Sequence, residues 1–208
     1  MTRTTVNVQQ PLQPYDELIL VIKRETLFAD GDWQGMNTAS LDTYVSRIHN
    51  NKEFMPRSIM ETDPCYKQVI PYLVFAYQGS YFLMQRKSKA SEQRLQGKYT
   101  LGIGGHMRQE DLLNSASIFD WARREFYEEI SYDGSFTIKP LGIVNDDSNE
   151  VGRVHIGLVL LLEGDSNIIS VKEELESGRL ASLQECSALG DRLESWSTLI
   201  MPFLTHEV

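Results

Sequence analysis

The sequence predicts an α+β fold in which a mixed β-sheet is covered by helices. Two observations point there. Apolar runs of strand length recur along the chain, in "LILVI", "PYLVFAY" and "VHIGLVLLLE". A helical period interrupts them, with Phe119, Ala122, Phe126 and Ile130 at three- and four-residue steps. Strands followed by a helix, then strands and a helix again, suit a sheet covered by helices.

The elements follow in order. The unbroken run at 18–22 suits a strand buried on both faces. Leu41, Tyr44, Val45 and Ile48 lie at helical spacing behind Ser40, a residue type suited to capping. These elements define an N-terminal extension over 1–64, a strand plus a short helix packed on the core. Residues 65–208 form the main domain. Within it, "QVIPYLVFAYQGSYFLMQRKS" reads as a β-hairpin turning at Gln78-Gly79-Ser80, and "GKYTLGIGGH" as a strand ending at paired glycines. The helix at 117–130 places the stripe just named toward the core. Two further strands, "FTIKPLGIV" and "VHIGLVLLLE", are joined by the polar loop "NDDSNEVGR", and the tail 171–204 is expected to be mainly helical, broken at Leu189-Gly190.

Composition narrows the function. Twenty basic against 29 acidic residues give a net charge of −9 with no Lys/Arg cluster, which argues against binding a nucleic-acid duplex. No apolar run is long enough to span a bilayer and the N-terminal stretch lacks the apolar centre of a signal peptide, so a cytoplasmic location without membrane attachment is expected. Cys65 and Cys186 fall in no metal-type spacing and receive no chemical role.

Against this acidic background, Glu125, Glu128 and Glu129 crowd one helix at positions i, i+3 and i+4. Carboxylates gathered at the flank of an apolar stripe repel one another, and a bound cation relieves the repulsion. An all-oxygen ligand set suits a hard ion such as Mg²⁺, with Mn²⁺ as substitute. Arg124, four residues before Glu128, can pair with it or with a loop carboxylate. Gly104-Gly105 allows a sharp turn that points the Gly104 carbonyl at the same ion.

The run Arg124-Glu125-Phe126-Tyr127-Glu128-Glu129 resembles the R-E-U-x-E-E centre of the Nudix box, G-x5-E-x7-R-E-U-x-E-E-x-G-U. The glycine pair and the acidic loop after "GIGGH" also resemble a bacterial Nudix subgroup of phosphoesterase type. The resemblance covers roughly 68–162 and implies an α/β/α sandwich that hydrolyses a phosphoanhydride in a nucleoside-diphosphate-linked or related small-molecule substrate, in a chain that can form a homodimer. Glu125, Glu128, Glu129 and the Gly104 carbonyl are then the expected metal ligands. Glu125 alternatively serves as base, and Arg124 orients the catalytic groups.

Three positions depart from the box. Gly105 to Arg124 is nineteen positions, not fourteen, so the loop carries about five extra residues. Counted back from Arg124, the box's first glutamate is Ala116, with Glu110 or Asp111 as candidate replacement; its last glycine is Ser131, followed by Tyr132. His106 is a candidate metal neighbour or substrate contact, weighed against a polar residue at a strand end, and Arg86 and Arg94 are candidate substrate contacts, weighed against solubilising residues at hairpin ends. His155 reads as a hydrogen-bonded core histidine, and Asp146, Asp147 and Glu150 as a possible source of a base or as a solvated loop. The alternative to an enzyme is an inactive Nudix-fold module that binds a nucleotide or a protein.

Overall fold

The computed structural model describes residues 16–87, 96–114, 117–173 and 175–204. In chain order the elements are β1 (Leu18–Lys23), α1 (Arg24–Leu27), β2 (Gly35–Asn37), α2 (Leu41–Asn51), β3 (Glu53–Pro56), α3 (Arg57–Met60), β4 (Tyr66–Tyr77), β5 (Ser80–Arg86), β6 (Tyr99–Thr100) and β7 (Gly102–Gly104). There follow α4 (Gln109–Asn114), α5 (Ile118–Glu129), β8 (Ile130–Tyr132), β9 (Phe136–Asn145), α6 (Glu150–Val154), β10 (His155–Gly164), β11 (Ile169–Val171), β12 (Leu175–Ala181), α7 (Leu183–Ser187) and α8 (Ser195–Ile200).

One large sheet runs β12-β5-β4-β10-β9-β2, with β1 and β7 also paired to β4 and β6 paired to β5. Strands β4 and β10 are parallel and the other pairings are antiparallel, which makes the sheet mixed as expected. β4 carries nine consecutive buried residues because both of its faces are covered. On one face Val69, Leu73 and Phe75 meet Tyr44 and Ile48 of α2 and Trp121, Ala122 and Phe126 of α5. On the other, Tyr72 and Val74 meet Cys186, Leu193, Ile200 and Leu204 from the C-terminal segment. The result is three layers, helix on sheet on helix.

The hairpin closes through Gln78 and Gly79, with φ of +45° and +72°, and pairs Tyr77 directly with Ser80. Both central residues at positive φ match the twist of the flanking strands, and glycine accepts that conformation without steric cost.

Several expectations need correction. In α5 the stripe is rotated: Phe119 is 38% exposed, and Trp121 is fully buried in its place. In α2, Val45 points outward while Tyr44 and Ile48 are buried, and Ser40 stands at the N-cap position without a side-chain cap bond. The loop "NDDSNEVGR" contains the short helix α6, capped by the Asn149 side chain, which accepts from Gly152 N–H. The tail does not begin helical, because 175–181 is the edge strand β12, paired antiparallel to β5. Among the described residues no helix is long and apolar enough to cross a membrane, and both cysteines are free.

Candidate active site at the carboxylate helix

Helix α5 starts at Ser117, whose hydroxyl accepts from Asp120 N–H. Its buried face seats Phe126 nearly parallel to Phe75 of β4, ring centroids 5.7 Å apart, which fixes the helix against the central strand. That seating places the preceding residue, Glu125, at the end of β7. A Cβ built on Gly105 would lie 2.1 Å from Glu125 Oε1, so the carboxylate packs directly on the glycine backbone. The paired glycines and the carboxylate helix therefore meet at one corner.

Glu125 makes no hydrogen bond or ion pair with any described residue. Burial first, and then the neighbouring Glu128, push its carboxyl up to about 7. Glu128 is exposed, and Arg124 donates to it at 3.0 Å. Arg124 also pairs with Asp111 at 2.9 Å. Asp111 is almost fully buried and accepts from the backbone N–H and the guanidinium of Arg108. Burial pushes the Asp111 carboxyl up, but these bonds and the two arginines outweigh it and hold it below the usual carboxylate range. Glu129, at the end of the helix, is half-buried, and its charge reaches Arg86.

Protein YmaB of Bacillus subtilis (strain 168) is 34% identical to this chain over 202 residues, covering 91% of the chain and 98% of YmaB. The crystal structure of Tm1382, a candidate Nudix hydrolase, matches with a TM-score of 0.72 at 29% identity, over 90% of this chain and 98% of that one. The chain belongs to the Nudix superfamily. At the level of fold alone it is also similar to the Nudix domain of Shewanella oneidensis NrtR, with a TM-score of 0.52 at 12% identity over 66% of this chain and 85% of that one. No family model matches the chain.

The Nudix box can now be realigned. Asp111 stands six positions after Gly105, the spacing of the box's first acid, and it is Asp111 that holds Arg124. The extra residues therefore follow this acid instead of preceding it. Counting forward from the glycine finds the residue that counting back from the arginine misses. Ala116 lies outside the described residues. At the other end, α5 passes straight into β8 with Ile130 extended at φ −123°, so Ser131 need not adopt the left-handed conformation that favours glycine.

Of the remaining candidates, Gly104 ends β7 opposite Tyr72. Arg86 is committed to Glu194 at 2.9 Å, and Arg94 lies outside the described residues. His106 follows the glycine pair, its Nε2 donating to Gln68 Oε1 at 2.7 Å and lying 3.3 Å from His155 Nε2. Burial, then Arg57 and His155, push the His106 imidazole down to about 3, so it is neutral at physiological pH.

In the acidic loop after β9, Glu150 is exposed, but Asp146 and Asp147 are held by partners within the chain. Asp146 is buried and accepts from Gln34, Ser148 and Asn149. Asp147 pairs with Arg24 and with the fully buried Lys67. Lys67 Nζ also donates to Asn145 Oδ1 at 2.8 Å, to the Gly152 carbonyl at 2.7 Å and to the His155 carbonyl at 3.1 Å. Sequence reasoning passed over Lys67 because nothing near it in the chain marks it.

Proposed function

We propose that this chain is a Nudix hydrolase that cleaves a phosphoanhydride bond in a nucleoside-diphosphate-linked or related diphosphate substrate, with Mg²⁺ or Mn²⁺. The observation that carries the reading is the Glu125 carboxylate, half-buried against Gly105 beside Glu128, in a chain of this superfamily. An oxygen-only donor set of that kind fits a hard divalent ion, which would be held by Glu125, Glu128, Glu129 and the Gly104 carbonyl. When bound, such an ion neutralises phosphate oxygens and acidifies a coordinated water.

The chain's own residues do the rest. Asp111 holds Arg124, and Arg124 fixes Glu128, so the carboxylate edge is oriented before substrate arrives. Glu125 acts either as a third ligand or as the base; with a carboxyl titrating near neutrality it can accept a proton from the attacking water at Oε1 or Oε2. Trp121, Ala122 and Phe126 keep the inner face of the helix dry, which strengthens every charge interaction at its edge.

The test is a panel of nucleotide sugars, dinucleoside polyphosphates and nucleoside triphosphates with Mg²⁺, using the wild type and Glu128→Gln. Turnover of at least one class, reduced about 10²–10³-fold in the variant, is expected, since losing a few kcal/mol of charge stabilisation costs that much rate. Saturable binding without turnover of any member would identify a binding module instead.

A further inference from the structure

We propose a second cation site, formed by Glu61, His106 and His155, that takes a borderline transition ion of the Zn²⁺ class and is chemically distinct from the carboxylate helix. The three residues each offer one ligand atom, and these atoms lie within 4.8 Å of one another. They come from three separate places: Glu61 just after α3, His106 after the glycine turn, and His155 at the start of β10.

The internal geometry suits a metal. Two nitrogens bound to one tetrahedral Zn²⁺ at about 2.0–2.1 Å stand about 3.3 Å apart. The two Nε2 atoms are 3.3 Å apart. His155 donates Nδ1–H to the Val151 carbonyl at 2.7 Å, which fixes its neutral tautomer and aims the Nε2 lone pair at His106. A carbonyl on the far nitrogen is the support that metal-binding histidines ordinarily have. Lys67 holds the His155 carbonyl and Arg57 donates to Glu61 Oε1 at 3.1 Å, so backbone and carboxylate are both positioned. Gln68 Nε2 donates to the Met60 carbonyl, so its Oε1 accepts the Nε2–H of His106 at 2.7 Å; a metal at this nitrogen takes the place of that bond, with the His106 proton shifted to Nδ1.

Two imidazoles and one carboxylate favour Zn²⁺, Fe²⁺ or Mn²⁺ over Mg²⁺, which prefers oxygen. Three protein ligands leave a coordination position open for water or a phosphate oxygen. Since His106 follows Gly105 directly, such a site adjoins the corner where Glu125 sits. It does not depend on the hydrolase reading, because binding can be measured without turnover.

The experiment titrates chelator-stripped full-length protein with Co²⁺, a coloured stand-in for Zn²⁺, in excess Mg²⁺. One equivalent should bind with visible d–d absorption and be displaced by Zn²⁺. His155→Gln should abolish the absorption and Glu61→Gln should weaken binding about tenfold or more, whereas Glu128→Gln should leave it in place. Circular dichroism checks the fold; if His155→Gln fails to fold, the Glu61 variant, at a partly exposed position, decides. Absence of Co²⁺ binding, or binding unchanged by Glu61→Gln and lost in Glu128→Gln, would overturn the site and leave a hydrogen-bonded histidine pair.

Discussion

Two places in this molecule bury charge, and they treat it in opposite ways. Around Lys67, every charge has a partner: the ammonium meets four oxygens, and Asp147 is shared between Lys67 and Arg24. At Glu125 the carboxylate faces a glycine backbone and a second glutamate instead. Burial penalises both; hydrogen-bonded partners offset part of the penalty at Lys67, whereas Glu125 has the charges of Arg124 and Arg108 against it but no hydrogen bond. A buried charge with hydrogen-bonded partners holds the fold together, whereas the one without them, at Glu125, is where the proposed cation would sit.

Lys67→Met gives the largest expected break in that contrast. Removing the ammonium strands Asn145 Oδ1 and two backbone carbonyls, so stability should fall by about 3–5 kcal/mol in chemical denaturation. Glu125→Gln should behave in the opposite sense. It removes a repelled charge, so at pH 8 the metal-free protein should be as stable as wild type or more so, while Mg²⁺-dependent turnover falls about 10²–10³-fold. A stability loss at Glu125 as large as at Lys67 would mean that the carboxylate has a structural partner after all.

Asp111→Asn lies between the two. Arg124 would lose one of its two anchors but keep Glu128, and a support of that kind typically changes activity or metal affinity 10–100-fold. The expected signature is weaker apparent Mg²⁺ affinity in a protein of native circular dichroism.

What could be read from the sequence tracks how local each signal is. The hairpin and the helix α5 follow from neighbours within four positions, and both elements are found where expected. Strand β12 was missed because "LESGRLA" is an edge strand with only its end residues buried, so it carries little apolar pattern. The rotated stripe of α5 reflects two nearly equivalent phases: Phe119 and Trp121 both flank the apolar face, and only packing chose Trp121. Lys67 and its partners lie 78 to 88 positions apart, and His106 and His155 lie 49 apart, distances at which pairing is invisible until the sheet forms.

The smallest effect concerns acid. Burial pushes the Asp147 carboxyl up, but hydrogen bonds from Arg24 and Lys67 prevail and hold it well below the ordinary range. The unfolded chain then takes up a proton near pH 4 while the folded chain still resists it. The stability Asp147 contributes is therefore present above that pH and is lost as pH falls through the folded value. One carboxylate supplies a slope of at most about 1.4 kcal/mol per pH unit. Asp147→Asn should flatten the acid limb of the stability profile by up to that slope, with little change in shape above pH 6. An unaltered acid limb would show that Arg24 and Lys67 do not hold Asp147 ionised, and with that the contrast between a completed charge network and an open one would fail.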